Sequence, residues 1–226
     1  FESTPDIPTA SSDSTATYHE IGGTRWLYVW CGRANAVHRF DIDNETWELV
    51  DNDPPLDFTG GKVFKNPGNP KQCFVAPRQR NQDVTNISIP SETSVLIDVD
   101  PLSYTEGEQY ETKVNNALSQ SLGNVVYWFG GIRRSDDTLE TGVYKFNSDA
   151  TFEKTGDLSF GIAESGVGLN PADNKVYLFG GIDDAATRDP ISDIHVVDPA
   201  NATILKVGNL TKNGSQFPLR FNFGAF

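Results

Sequence analysis

Methionine is absent from the 226 residues, cysteine occurs twice and histidine three times. Two cysteines cannot build a disulfide framework, and Cys31 and Cys73 lack the close spacing of a metal knuckle. His19, His38 and His195 are too scattered to mark a metal site. Basic residues are also scarce: 18 Lys and Arg stand against 31 Asp and Glu, a formal net charge of -13. Such a surface repels a polyphosphate backbone, so nucleic acid is not an expected partner. No apolar run approaches the roughly 20 residues of a membrane-crossing helix. Helical periodicity, a phosphate loop and a Ser-His-Asp order are missing too. The lack of Met, with Phe1 first, fits a chain whose leader has been removed or a fragment without its start.

What is present is a repeated strand. Val126-Tyr127-Trp128-Phe129-Gly130-Gly131 returns as Val176-Tyr177-Leu178-Phe179-Gly180-Gly181, a period of about 50 residues and so the mark of one copied supersecondary unit. Four units can be overlaid. Their second strands are Tyr28 to Gly32, Cys73 to Pro77, Tyr127 to Gly131 and Tyr177 to Gly181, with Asn66-Pro67 and Asn170-Pro171 setting the second in register with the fourth. Third strands close on Asp41, Asp98, Asn147 and Asp198. Fourth strands carry Trp47, Tyr104, Phe152 and Leu205. First strands run over 17–21, 61–65, 117–122 and 165–169. Each unit reads as a four-stranded antiparallel meander. Runs such as Val125 to Phe129 are apolar on both faces, which suits a sheet packed between two others rather than a two-layer sandwich.

Hydrophobic-Gly-Gly, then a hydrophobic-Asp strand, then an aromatic about six residues on resembles the kelch repeat of β-propellers. The resemblance covers residues 16–210 and is best in the last two units; Cys31 replaces a glycine in the first. It implies an all-β, kelch-type propeller of four-stranded antiparallel blades at about 16–55, 56–114, 115–160 and 161–210. A further blade starts at 216–226. Residues 1–15, rich in Ser, Thr and Pro, read as a linker or surface strap. Kelch propellers close with six or seven blades, so four leave two apolar sheet faces open. The 226 residues alone are therefore not expected to form a stable soluble monomer. Further blades or another chain would cover them.

Six of the nine arginines, Arg33, Arg78, Arg80, Arg133, Arg134 and Arg188, fall in loops between second and third strands. Guanidinium forks suit carboxylate or phosphate. The loop face is thus a candidate for binding an acidic protein or an anionic glycan. The alternative is local pairing with Asp136, Asp137, Asp183, Asp184 and Asp189. His38 and His195 share one repeat position and read as packing residues, so no metal or other cofactor is expected. Cys31 and Cys73 are either buried free thiols or, near a propeller's narrow centre, a disulfide. Asn44, Asn86, Asn201, Asn209 and Asn213 begin glycosylation sequons, with Asn44 and Asn201 in equivalent exposed turns. Together these features predict a secreted or surface-displayed, non-enzymatic interaction module. Two alternatives stay open: a structural subunit of an extracellular glycoprotein assembly, and the propeller domain of a larger enzyme resembling galactose oxidase.

Overall fold

The computed structural model describes residues 5–9, 14–32, 34–58, 62–76, 89, 93–110, 114–133, 135–147, 149 and 151–218. Two compact units emerge, one of Phe1–Glu111 with Ser148–Ala150 and the other of Thr112–Asn147 with Thr151–Phe226.

The first unit contains β1 (Thr15–Ile21), β2 (Thr24–Cys31), β3 (Ala36–Asp41) and β4 (Thr46–Asp51), then β5 (Val63–Lys65), β6 (Gln72–Val75), β7 (Thr93–Val99) and β8 (Leu102–Gln109). They form two antiparallel meanders, β1-β2-β3-β4 and β5-β6-β7-β8, here blades 1 and 2. The second unit contains β9 (Val114–Asn115), β10 (Leu118–Leu122), β11 (Val125–Phe129), β12 (Ile132–Arg133), β13 (Gly142–Phe146) and β14 (Phe152–Asp157). It continues with β15 (Gly166–Asn170), β16 (Lys175–Phe179), β17 (Asp193–Asp198), β18 (Thr203–Asn209), β19 (Thr211–Lys212) and β20 (Ser215–Gln216). Blade 3 is β10-β11-β13-β14 and blade 4 is β15-β16-β17-β18; β9 with β12 and β19 with β20 make small ribbons. These four sheets are blades of the β-propeller class. Gln216, expected at the start of another blade, pairs back with Thr211 in the β19–β20 ribbon. Residues 219–226 lie outside the described ones.

All four blades share one irregularity. The register slips between third and fourth strands just before His38, Val95, Tyr144 and His195. Each of these residues stands three before the strand-closing Asp41, Asp98, Asn147 or Asp198. An extra residue in the fourth strand raises local twist, so one bulge per blade bends each sheet alike.

Cross-strand pairing also corrects the register of the second unit. Cys73 pairs with Ile97 as Val176 pairs with Val197, one residue before the closing Asp in both. Phe74, not Cys73, therefore occupies the place of Tyr28, Tyr127 and Tyr177. The cause is one added residue in the turn from Asn66 to Gln72 compared with that from Asn170 to Lys175. A slip of one residue moves a side chain to the opposite sheet face, so Cys73 turns back toward blade 1.

Each blade then has two distinct faces. The forward face, toward the blade next in sequence, carries Tyr28 and Trp30 in blade 1 and Tyr127 and Phe129 in blade 3. The rear face carries Cys73 and Val75 in blade 2 and Val176 and Leu178 in blade 4. Forward aromatics on rear aliphatics build both cores: Tyr28, Trp30 and Val37 pack with Cys73, Val75, Val95 and Ile97 in the first unit. Tyr127, Phe129 and Val143 pack with Val176, Leu178 and Val197 in the second. Trp30, Trp128 and Phe129 are fully buried, and each such side chain contributes about 1.5–3 kcal/mol or more by leaving water.

Candidate functional site: the loop end of the second unit

Glycine pairs set this site up. Gly130 and Gly131 have φ of 62° and 100°, Gly180 and Gly181 of 64° and 99°, values that side chains resist. A Cβ on Gly130 would stand 2.3 Å from the Ile162 carbonyl oxygen, and one on Gly181 would stand 2.5 Å from that of Ala163. The close approach lets the Gly131 N–H donate to the Ile162 carbonyl at 2.9 Å, while Ala163 and Ile182 exchange backbone bonds of 3.1 and 2.9 Å. Ile132, Ala163 and Ile182 form a small apolar floor edged by Leu139 and Ala185. The 131–140 and 181–191 loops and the 158–165 connector thus share one end of the unit.

Two buried carboxylates stand on this floor. Glu164 is almost fully enclosed, and its Oε1 accepts from Asn116 Nδ2 at 2.8 Å and from Arg188 Nη2 at 2.6 Å. Glu140 is also buried; its Oε1 accepts from the Gly142 N–H at 2.6 Å, and its Oε2 lies 3.9 Å from Arg133 Nε. Arg133 and Arg188 keep 41% of their side chains exposed while their partners keep 6% and 1%. A buried carboxylate without a cation would be costly, which favours keeping Arg188 on Glu164 and Arg133 near Glu140. Arg188 is thus hydrogen-bonded to Glu164 beneath it, Arg133 lies at ion-pair distance from Glu140, and both side chains stay partly exposed.

The sequence pointed to Asp136, Asp137, Asp183, Asp184 and Asp189 as the local counter-charges. Asp136 accepts from the Thr138 N–H and hydroxyl, which together with the nearby Arg133 charge lower its pKa, and Asp184 accepts from the Ala186 and Thr187 N–H groups. Glu140 and Glu164 were missed because nothing in their spacing announces them. Their one signal is position: each is a lone acid between an apolar residue, Leu139 or Ala163, and a hydroxyl residue, Thr141 or Ser165, at a strand approach. Of the six loop arginines, Arg133 and Arg188 both lie at this end, each beside its own carboxylate; Arg33, Arg78, Arg80 and Arg134 lie outside the described residues.

Asn44 and Asn201 sit in matching exposed turns, each amide donating at 2.8 Å to its own turn aspartate, Asp41 or Asp198. Asn209 is half-buried, donating to Ser192 and Asp193. Asn213 is exposed at the β19–β20 turn; Asn86 is not among the described residues.

Cys31 and Cys73 are separate buried thiols, so the disulfide that the sequence allows is not formed. Cys73 instead belongs to a polar seam between blades 1 and 2. His19 Nδ1 meets the Pro70 carbonyl at 2.6 Å; a carbonyl only accepts, so this nitrogen carries the proton. Nε2 is then an acceptor, with the Thr17 hydroxyl at 3.1 Å and the Cys73 thiol at 3.2 Å around it. Burial pushes that thiol up to about 12 and lowers the His19 pKa. A buried, fully protonated thiol is a packing residue, not a nucleophile. His38 meets Thr9 Oγ1 at 2.9 Å, and His195 packs on Phe160 at 5.2 Å. Both are lowered by desolvation. Among the described residues no group of three or more His, Cys, Asp or Glu is placed to hold a metal ion.

No protein-family model and no curated protein matches the chain. Solved structures do: 207 of their chains are similar. One is "Structure of YjhT", with a TM-score of 0.62 at 14% identity over 87% of this chain and 70% of that one. At such low identity the likeness shows the fold alone.

Proposed function

We propose that the chain is a kelch-type propeller segment of a secreted glycoprotein and acts as a non-enzymatic interaction module through its loop end. The observation that carries this reading is two arginines at the loop end, Arg188 hydrogen-bonded to buried Glu164 and Arg133 at 3.9 Å from buried Glu140, each side chain 41% exposed. An arginine already held in place loses little freedom when a ligand arrives, so its exposed portion is pre-organised to meet a carboxylate or sulfate. A protein or glycan bearing such groups is the partner that fits. Secretion rests on the sequons, of which those at Asn44, Asn201 and Asn213 stand exposed.

Binding of a hexaglutamate peptide and of a sulfated glycan, measured at low salt, tests the loop end. Arg188→Gln and Arg133→Gln should each weaken binding at least about tenfold, the loss of one charge-assisted contact. Equal affinity for wild type and both variants would dispose of the loop-end reading. Expression in a glycosylating host should add a glycosidase-sensitive mass that Asn213→Gln reduces; a chain of unmodified mass would remove the glycoprotein reading.

A further inference from the structure

Corresponding side chains of the four blades are buried with one pattern of exceptions. At the two forward positions stand Tyr28 and Trp30, Phe74 and Ala76, Tyr127 and Phe129, and Tyr177 and Phe179. The first three pairs are buried, at 8% exposure or less. Tyr177 and Phe179 of blade 4 are only half-buried. At the rear positions Cys73 and Val75, Val126 and Trp128, and Val176 and Leu178 are buried, whereas Leu27 and Val29 of blade 1 are not. The faces concerned are the forward face of blade 4 and the rear face of blade 1. Leu205 extends the first at 67% exposure, opposite Val196; Leu49 extends the second at 52%, opposite His38.

These faces are built like the ones that pack elsewhere in the molecule. The forward face of blade 4 offers an aromatic pair as blades 1 and 3 do, and the rear face of blade 1 offers aliphatic side chains as blades 2 and 4 do. A forward face meets a rear face in both cores. We propose that the forward face of blade 4 in one molecule seats on the rear face of blade 1 in a second copy, a head-to-tail association. The partner is identified by this complementarity: each chain exposes one face of each kind.

Residues 5–9 do not stand in the way. They cross the rear side of blade 1, where the Trp47 indole donates to the Pro5 carbonyl at 2.9 Å and Thr9 meets His38. Thr9 lies six residues before β1, and Phe160 lies six before β15. Phe160 touches His195, the counterpart of His38, on the rear side of blade 4. That face nevertheless packs against blade 3. Residues 5–9 therefore occupy the place of an inter-blade connector and leave room for a blade. A forward-to-rear contact is heterologous, so it propagates into a ring or a filament according to whether its rotation closes.

Light scattering on the 226-residue chain, with Leu205→Lys and Leu49→Lys, tests the proposal. Both substitutions fall at exposed positions, and unchanged melting of each confirms folding. The wild type should associate with rising concentration. Each variant alone should need more than about tenfold higher concentration to do so. An equimolar mixture of the two should form a one-to-one dimer through the single pair of unaltered faces. A monomeric wild type overturns the proposal, as does either variant that still associates like the wild type, since that contact would be homotypic. Arg188→Gln should leave the mass unchanged, which separates this association from ligand binding at the loop end.

Discussion

In the first unit the two blades are joined through side chains. His19 reaches the Pro70 carbonyl and Cys73, the Tyr28 hydroxyl donates to the Val99 carbonyl at 3.0 Å, and Tyr104 donates to Asp51 at 2.8 Å. In the second unit the backbone takes part directly, the Gly131 N–H donating to the Ile162 carbonyl on the connector into blade 4, beside the Asn116 amide donating to Glu164 on the same connector. Thr155 adds one hydroxyl bond, to the Pro199 carbonyl at 3.2 Å. The difference has its origin in composition. Where glycine pairs admit close approach, main-chain groups meet directly; where Cys31 replaces glycine, the gap is bridged by long polar or aromatic side chains. The same blade is thus assembled by two chemistries, and they should fail in different ways.

The largest effect should come from the side-chain-built unit. Trp30→Ala removes a fully buried ring that stacks near Tyr28 and Phe58 and donates to Thr17. It should cost about 3–5 kcal/mol, read as lost amide protection in β1–β8. The comparison sharpens if β15–β18 keep theirs and breaks if all strands lose protection equally. Gly130→Ala should cost about 2–4 kcal/mol in denaturant melts, from left-handed strain plus a clash with backbone that cannot move aside. Cys31, its counterpart in blade 1, has no positive φ, and Cys31→Ala should cost only about 1 kcal/mol. Equal costs would erase the distinction.

Acid supplies a gentler probe. Burial lowers the pKa of His19 and His38 in the first unit and His195 in the second from 6.5. The unfolded chain then binds protons that the native state refuses. Stability should be full above about pH 6.5 and decline as pH falls through that value. With two such histidines, the first unit should show the steeper decline in pH-dependent hydrogen exchange; a flat profile there would contradict the seam. Smallest is Tyr104→Phe, which deletes the bond to Asp51 and should cost about 1 kcal/mol in the same melts.

The repeat was legible because blade strands are local: the Tyr-x-Phe-Gly-Gly run and the closing Asp each declare a strand within a few residues. Blade 2 was misread by one position because its register was inferred from Asn-Pro spacing. An inserted turn residue leaves that dipeptide intact while moving the next strand by one place. The loop arginines were visible as a group, yet their anchors were not. Asn116 and Arg188 reach Glu164 across 48 and 24 residues, and no periodicity links such distant partners. The open faces were expected from the blade count, but which face of which blade stays exposed emerged only from strand pairing.

Both cysteines of the chain lie in the first unit, sealed from solvent and, for Cys73, kept protonated by burial. A thiol reagent can reach Cys73 only when blades 1 and 2 part, so the rate of its labelling counts those partings. The second unit has no such group. The chain therefore carries a natural clock for the breathing of one blade pair, silent for the other, and one mass spectrum taken over time would read it.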